Sequence, residues 1–344
     1  MFDRLKPGRR TLRVALAVLL VLVGTGGWIA HQNSYALREE PVIITGAATP
    51  LHGVLALPPH GDGPFGLVVF VHGDGPVDAT YDTFYRPIWE SLAQAGYGSL
   101  SWNKPGVDGA PGDWLDQTMS DRAEETTHAI AWARDRPEID PDRIGLWGAS
   151  QAGWVLPEVV AHDPRLRFMI AVSPAINWLQ QGRYNLIAEL TESGATQEEV
   201  AAALAQREKD LRYLRAGASY ARARAAGAAT DISEQRWRFA QRNYTADASA
   251  DLTRVRIPVL LQLGGHDLNV DIADTEAGYR RNLPDQSLLD IVHHQEATHA
   301  MVRADIADST VKSTLVALFA PRNLYAPGVL HTQRDFVAKV APLP

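Results

Sequence analysis

The sequence predicts an α/β protein: a mostly parallel, doubly wound sheet with helices on both faces and an inserted helical cap. Three observations carry this. From residue 41 onward, short β-rich runs alternate with longer helical patterns. Gly66-Leu-Val-Val-Phe-Val71 is a continuous apolar run, as expected of a strand covered on both faces. The alternation is broken once, over 176–250, which has no convincing strand and is rich in Ala, Arg, Glu and Gln.

The elements follow in order. Pro41–Thr45 and Leu51–Leu57 read as an opening pair of strands turned at Gly46–Pro50. After the 66–71 strand, a helix is expected near Thr83–Gln94, closed by Gly96, and Tyr97–Trp102 is the next strand. Residues 119–135 read as a helix with Ser120 as N-cap and Glu124 in its first turn. Arg143–Trp147 is a strand followed by a helix over 151–162, and Arg167–Val172 is a strand. Ile257–Leu263 and Leu288–Val292 complete the set. The division that results is an N-terminal segment over 1–40, a core over 41–175 and 251–344, and a helical insertion over 176–250. Ligand sites in open α/β sheets lie beyond the carboxyl ends of the strands, so the insertion is expected to act as a lid.

The first forty residues stand apart. Arg4, Lys6, Arg9, Arg10 and Arg13 precede the uncharged run 14–30, which is just long enough to span a bilayer. A signal anchor is expected, or a signal peptide cleaved near Ser34-Tyr35-Ala36. Either way the body would be exported: anchored on the extracytoplasmic side, or periplasmic or secreted after cleavage. The net charge is −7, and because residues 1–13 hold five basic residues and one acid the remainder carries −11, which argues against nucleic acid as a partner. With no cysteine, disulfides, thiol nucleophiles and zinc–thiolate sites are excluded.

The chemistry is concentrated where the 143–147 strand stops, at Gly148-Ala149-Ser150-Gln151-Ala152-Gly153. A serine in a tight strand-to-helix turn is a nucleophile elbow, whose residues at minus two and plus two must be small. Gly148 fits; the plus-two residue is Ala152 rather than glycine. A serine needs a base and a group to orient it, in the chain order serine, acid, histidine. Asp267, just past the 257–263 strand in Gly264-Gly-His-Asp267, is the expected acid. Of His293, His294 and His299, the last, in a loop within Ala-Thr-His-Ala-Met, is chosen as base. The backbone N–H groups of Gln151 and of Asp74, in His72-Gly-Asp-Gly-Pro76, are the expected oxyanion donors. The Asp74 carboxylate would oppose a developing oxyanion unless turned away or paired.

Together His72–Pro76, Trp102-Asn-Lys-Pro-Gly106, the elbow, Gly264–Asp267 and Ala-Thr-His299 resemble the α/β-hydrolase family, in its bacterial esterase and serine-aminopeptidase-like branch with a helical cap. The likeness covers about residues 41–340. It implies an α/β-hydrolase fold and a serine hydrolase that cleaves a carboxylic ester or related acyl compound through an acyl-enzyme on Ser150. No cofactor or metal is implied, and the partner is a small acyl or peptide substrate. A peptidase is the nearest alternative, with Glu189, Glu192 or Glu198 placed to hold a free amine. A thioesterase or acyltransferase, and a silent ligand-binding fold, also remain open.

Other patterns are weaker. Asp267-Leu-Asn-Val-Asp271 begins like a calcium loop, but Ile272 and Gly278 occupy the positions where glycine and glutamate are required. Adjacent His293 and His294 should point to opposite faces and so not share a metal. Trp147 and Trp154 flank the elbow and are expected to pack rather than stack on substrate. Asn243-Tyr-Thr245 is a glycosylation sequon by pattern alone.

Overall fold

The computed structural model describes residues 9–342; the side chains of Arg9 and of residues 11–15 lie outside that description, as do residues 1–8 with most of the basic flank. Eight strands form one sheet in the order β1-β2-β4-β3-β5-β6-β7-β8. They are β1 (Arg38–Ile44), β2 (Leu51–Leu57), β3 (Phe65–Val71), β4 (Tyr97–Trp102), β5 (Ile139–Ala149), β6 (Met169–Val172), β7 (Val259–His266) and β8 (Leu289–Thr298). β2 runs antiparallel to β1 and β4, and all later pairings are parallel. Two apolar layers cover the sheet. One centres on Leu67, Val69, Leu146 and Leu261, the other on Val68, Phe70, Ile170 and Trp89, which is what strands apolar on both faces require.

The helices of the core are α2 (Arg86–Ala93), α3 (Met119–Arg134) and α4 (Leu156–His162), and, after the cap, α10 (Ile272–Asn282), α11 (Ala304–Ala307), α12 (Thr310–Phe319) and α13 (Val329–Val340). Between β6 and β7 the chain forms α5 (Trp178–Glu192), α6 (Gln197–Arg215), α7 (Tyr220–Ala225), α8 (Glu234–Asn243) and α9 (Ser249–Leu252). Leu211, Leu214, Ala223 and Ala229 close around the fully buried Trp237 and give this insertion a small core of its own.

Four local expectations change. The N-cap of α3 is Thr118, whose hydroxyl accepts from the Asp121 N–H while the Asp121 carboxylate accepts from the Thr118 N–H; Ser120 is already helical, and the first-turn acid is Asp121 rather than Glu124. The helix expected over 151–162 is divided into a 3₁₀ turn, Ser150–Trp154, and α4, which starts beside Pro157. β8 runs on to Thr298, so His293 and His294 lie inside a strand rather than after it. Asn243 is buried, with its side chain bonded to Met119 N, Gln117 O and Phe239 O, so the sequon offers no free acceptor.

N-terminal α1 (Arg9–Gln32) touches the body at α12, where Trp28 Nε1 donates to Phe319 O at 3.1 Å. The run 14–30 falls partly on the undescribed side chains. Among the described residues no helix is long and apolar enough to cross a membrane, so the fold lends the anchor expectation no support.

Candidate active site

Ser150 sits where β5 ends, with φ at +55°, a left-handed conformation that costs energy and lifts the hydroxyl out of the sheet. The turn is packed tightly. A Cβ on Gly148 would lie 2.6 Å from the Ala152 Cβ and 3.1 Å from Val71 O, and a Cβ on Gly153 would lie 2.3 Å from Ala175 O. Ala152 is therefore tolerated only because Gly148 faces it, and Gly153 is needed for the close approach of the loop that leaves β6 at Pro174 and Ala175.

Asp267 and His299 come together. His299 Nδ1 lies 2.8 and 3.0 Å from the two Asp267 carboxylate oxygens. The Asp267 Oδ1 also accepts from Asn269 N and Val270 N, each at 2.8 Å, so the carboxylate is aimed by its own loop. Cap helix α5 holds that loop from above, through Tyr184 Oη to Asp267 O at 2.9 Å and Gln181 Nε2 to Asn269 O at 2.8 Å. Ser150 and His299 line one cavity of about 200 Å³ together with Asp74, Tyr81, Phe84, Ile88, Trp147 and Met301. No direct hydrogen bond links the serine hydroxyl to the imidazole; such contacts are often long before substrate binds.

His293 and His294 point to opposite faces. His293 Nε2 meets Glu276 at 2.6 Å, whereas His294 Nε2 meets the buried Gln262 amide at 2.8 Å. Trp154 stacks on Trp178 and donates to Ile176 O, a packing role. Trp147 stacks on Phe70 with centroids 4.7 Å apart, yet its other edge lines the cavity beside Ser150. Of the glutamates considered for an amine, Glu189 accepts from Asn185, and Glu192 lines a second opening that His299 also borders but Ser150 does not.

The oxyanion side contains the groups that sequence reasoning missed. The Asp74 carboxylate is paired: Arg236 of α8 donates to it from both terminal nitrogens, one at 2.9 Å, and Gln151 Nε2 donates to it at 2.9 Å. Burial opposes this charge most strongly, but Arg236, the Lys104 charge and the Gly75 N–H together outweigh it and hold the Asp74 carboxyl below its ordinary range. Behind them, buried Arg122 of α3 donates to the Gln151 side-chain oxygen at 2.6 Å and to His72 O. Thus the two residues expected to supply the oxyanion donors are joined by their side chains to each other, to the core and to the cap. Buried Lys104 donates to Gly73 O and lies 4.9 Å over the Trp114 ring; burial, then the Arg122 charge, pulls its ammonium well below the usual lysine range. His72, buried against Tyr85 and the Trp102 carbonyl, is pushed down to about 3 by desolvation and stays neutral. Arg122 had a sequence signal: it lies on the buried stripe Met119, Ala123, Thr126 and Ile130 of α3, where a charge is costly unless it has work to do. Arg236, on a cap helix far along the chain, had none.

Sheet order, left-handed serine and the acid–histidine pair beyond the strand ends define an α/β-hydrolase. Solved structures agree in fold: the Pyrococcus furiosus esterase Pf2001 matches with a TM-score of 0.55 at 16% identity over 82% of this chain and 90% of that one. The Penicillium hydrolase GrgF matches with a TM-score of 0.53 at 19% identity over 89% of this chain and all of the other. A family model of the X-Pro dipeptidyl-peptidases (S15 family) matches residues 47–301, and the chain belongs to that family. Among curated proteins, an uncharacterised Bacillus subtilis peptidase, YuxL, is 26% identical over 46% of this chain, and the Penicillium crustosum polyketide transferase claH is 30% identical over 34%. The matched stretches cover only 25% and 32% of those two proteins. The chain therefore has the α/β-hydrolase fold and carries the S15 family's sequence pattern over 47–301.

Proposed function

We propose that the protein is a serine hydrolase that cleaves carboxylic esters with an apolar acyl group. Ser150 Oγ attacks the acyl carbon while His299 Nε2 takes its proton. Asp267 accepts from His299 Nδ1, which fixes the tautomer and steadies the imidazolium. The Asp74 and Gln151 N–H groups receive the oxyanion. His299 then protonates the leaving oxygen, and water, deprotonated by the same imidazole, releases the acid from the acyl-enzyme. The observation that carries this reading is the cavity that Ser150 and His299 share: its walls include Phe84, Ile88, Trp147, Val172 and Val329, and its one carboxylate, Asp74, is occupied by Arg236. An apolar acyl group fits such walls; a free amine would have to displace Arg236 to find a counter-charge. Cleavage of peptides is the second reading, favoured by the family match.

The test is labelling by a fluorophosphonate probe, followed by parallel panels of p-nitrophenyl esters and aminoacyl anilides. Labelling of the native chain, its loss in Ser150→Ala, and turnover confined to the esters are expected. Labelling that survives Ser150→Ala sinks the mechanism, and preference for the anilides replaces the esterase reading with the peptidase one.

A further inference from the structure

α12 is a helix of the body with no buried residue, although its sequence, Thr-Val-Lys-Ser-Thr-Leu-Val-Ala-Leu-Phe, is mostly apolar in its second half. Val311, Leu315 and Leu318 are 69%, 49% and 56% exposed and share one face at helical spacing. Beside it lies α1, whose large residues from Leu16 to Val23 are each 53% to 66% exposed. The two helices meet at Trp28 and Asn33, which donate to Phe319 O and Leu318 O. This apolar platform is too extensive to be scattered surface chance.

The exposure of α1 says what covers it. From Leu16 to Trp28 consecutive residues around every side of the helix are bare. A protein groove covers one face of a helix; only a fluid apolar medium covers all of them. The basic residues of the first thirteen match an anionic headgroup layer. Trp28, at the α1–α12 junction, is a residue type that settles at the boundary of lipid and water. The opposite face of α12 is also informative. Ala317, with Pro321 and Leu324, roofs a second cavity of about 260 Å³ whose other walls include Tyr81 and Phe84. Tyr81, Phe84 and Ala300 line both this cavity and the one at Ser150. The partition belongs to a loop with three successive left-handed residues, Tyr81, Asp82 and Thr83, at φ of 51°, 49° and 75°.

We propose that α12 and α1 rest together on a lipid surface, and that the cavity under α12 leads acyl chains of lipid-borne esters past Tyr81 and Phe84 to Ser150. The second half rests on the ester-hydrolase reading; the first does not. α12 lies in the interface with one face covered, while α1, apolar on every side, sinks into the acyl layer beside it.

The chain has no native cysteine, so Leu315→Cys and Asp142→Cys, the latter at the amino end of β5, can each carry one environment-sensitive fluorophore. With vesicles of phosphatidylcholine and phosphatidylglycerol containing doxyl lipids, the label at 315 is expected to be quenched and that at 142 to be unaffected. Equal behaviour of the two labels, or no binding to the vesicles, overturns the docking. In the otherwise unlabelled full chain, Leu315→Asp with Leu318→Asp should lower turnover of a vesicle-borne long-chain ester at least tenfold and leave p-nitrophenyl acetate within twofold. Ala317→Trp, which narrows the outer cavity, should repeat that split with detergent-dispersed long-chain ester; an equal fall for both esters overturns the route. If the native chain hydrolyses neither ester, the ester reading fails, while the quenching result still decides the docking.

Discussion

The two sides of the site are built by different means. On the acid–histidine side, Asp267 is aimed by backbone N–H groups two and three residues further on, and His299 follows β8 directly. Most of that geometry is local, because a loop leaving a strand end supplies its own donors. On the oxyanion side, Asp74 and Gln151 are held by Arg122 from α3 and Arg236 from α8, residues brought in from far along the chain. The cap touches both sides, but unequally: α5 reaches the acid loop through Tyr184 and Gln181 to backbone carbonyls, whereas α8 reaches the oxyanion loop through a charge pair. A locally built half is expected to lose function when its own residue changes, and a remotely built half when distant ones do.

Asp267→Asn is the strongest way to break the local half. It keeps the shape but favours the wrong imidazole tautomer, and turnover should fall about 10³–10⁴-fold with the melting temperature nearly unchanged; a fall below tenfold would remove Asp267 from its role. Next comes Arg122→Met. It leaves the Gln151 amide oxygen and His72 O without their buried donor, and should destabilise the fold by about 3 kcal/mol in urea titrations. An unchanged midpoint would show that the buried guanidinium is not what ties the two donor loops to the core.

The acid limb of stability sharpens the same contrast. Burial lowers the His72 pKa to about 3 in the folded chain, while the unfolded chain takes up the proton below the ordinary value of about 6.5. Between those values the unfolded state binds more protons. Stability is therefore full above the unfolded pKa and is lost as pH falls toward 3, by an amount on the order of a few kcal/mol. His72→Gln should flatten urea midpoints measured from pH 7 to pH 4; an equally steep profile would assign the acid limb to other groups. The smallest effect is expected from Arg236→Ala. The pair is partly exposed, so stability should move by less than about 1 kcal/mol. Freed of its partner, the Asp74 carboxylate faces the oxyanion, and kcat should fall about tenfold with KM little changed. If Arg236→Ala and Asp74→Asn together are no better than Arg236→Ala alone, the loss is not due to that bared charge.

Much of this was legible beforehand. Apolar runs located seven of the eight strands within a few residues, and the eighth, β8, failed only in length, because His293 and His294 look like the polar end of a strand while one packs on Gln262 and the other pairs at the surface with Glu276. Ser120 looked like a helix cap because serine suits that place, but Thr118 reached it first with a reciprocal partner in Asp121. The left-handed turn at Ser150 could be read from Gly148 because crowding at a tight turn acts over a few residues.

What the sequence alone determined is therefore whatever depends on neighbours along the chain: strand periods, the elbow and the place of Asp267 just past its strand. Only the tertiary structure decided that Asp74 has a partner, that Arg122 joins the Gln151 side chain to the core, and that α12 lies bare beside α1 above a cavity sharing Tyr81, Phe84 and Ala300 with the one at Ser150. Ion pairs and exposed faces depend on which distant segments fold to within a few ångströms of one another, and periodicity and spacing carry no record of that distance.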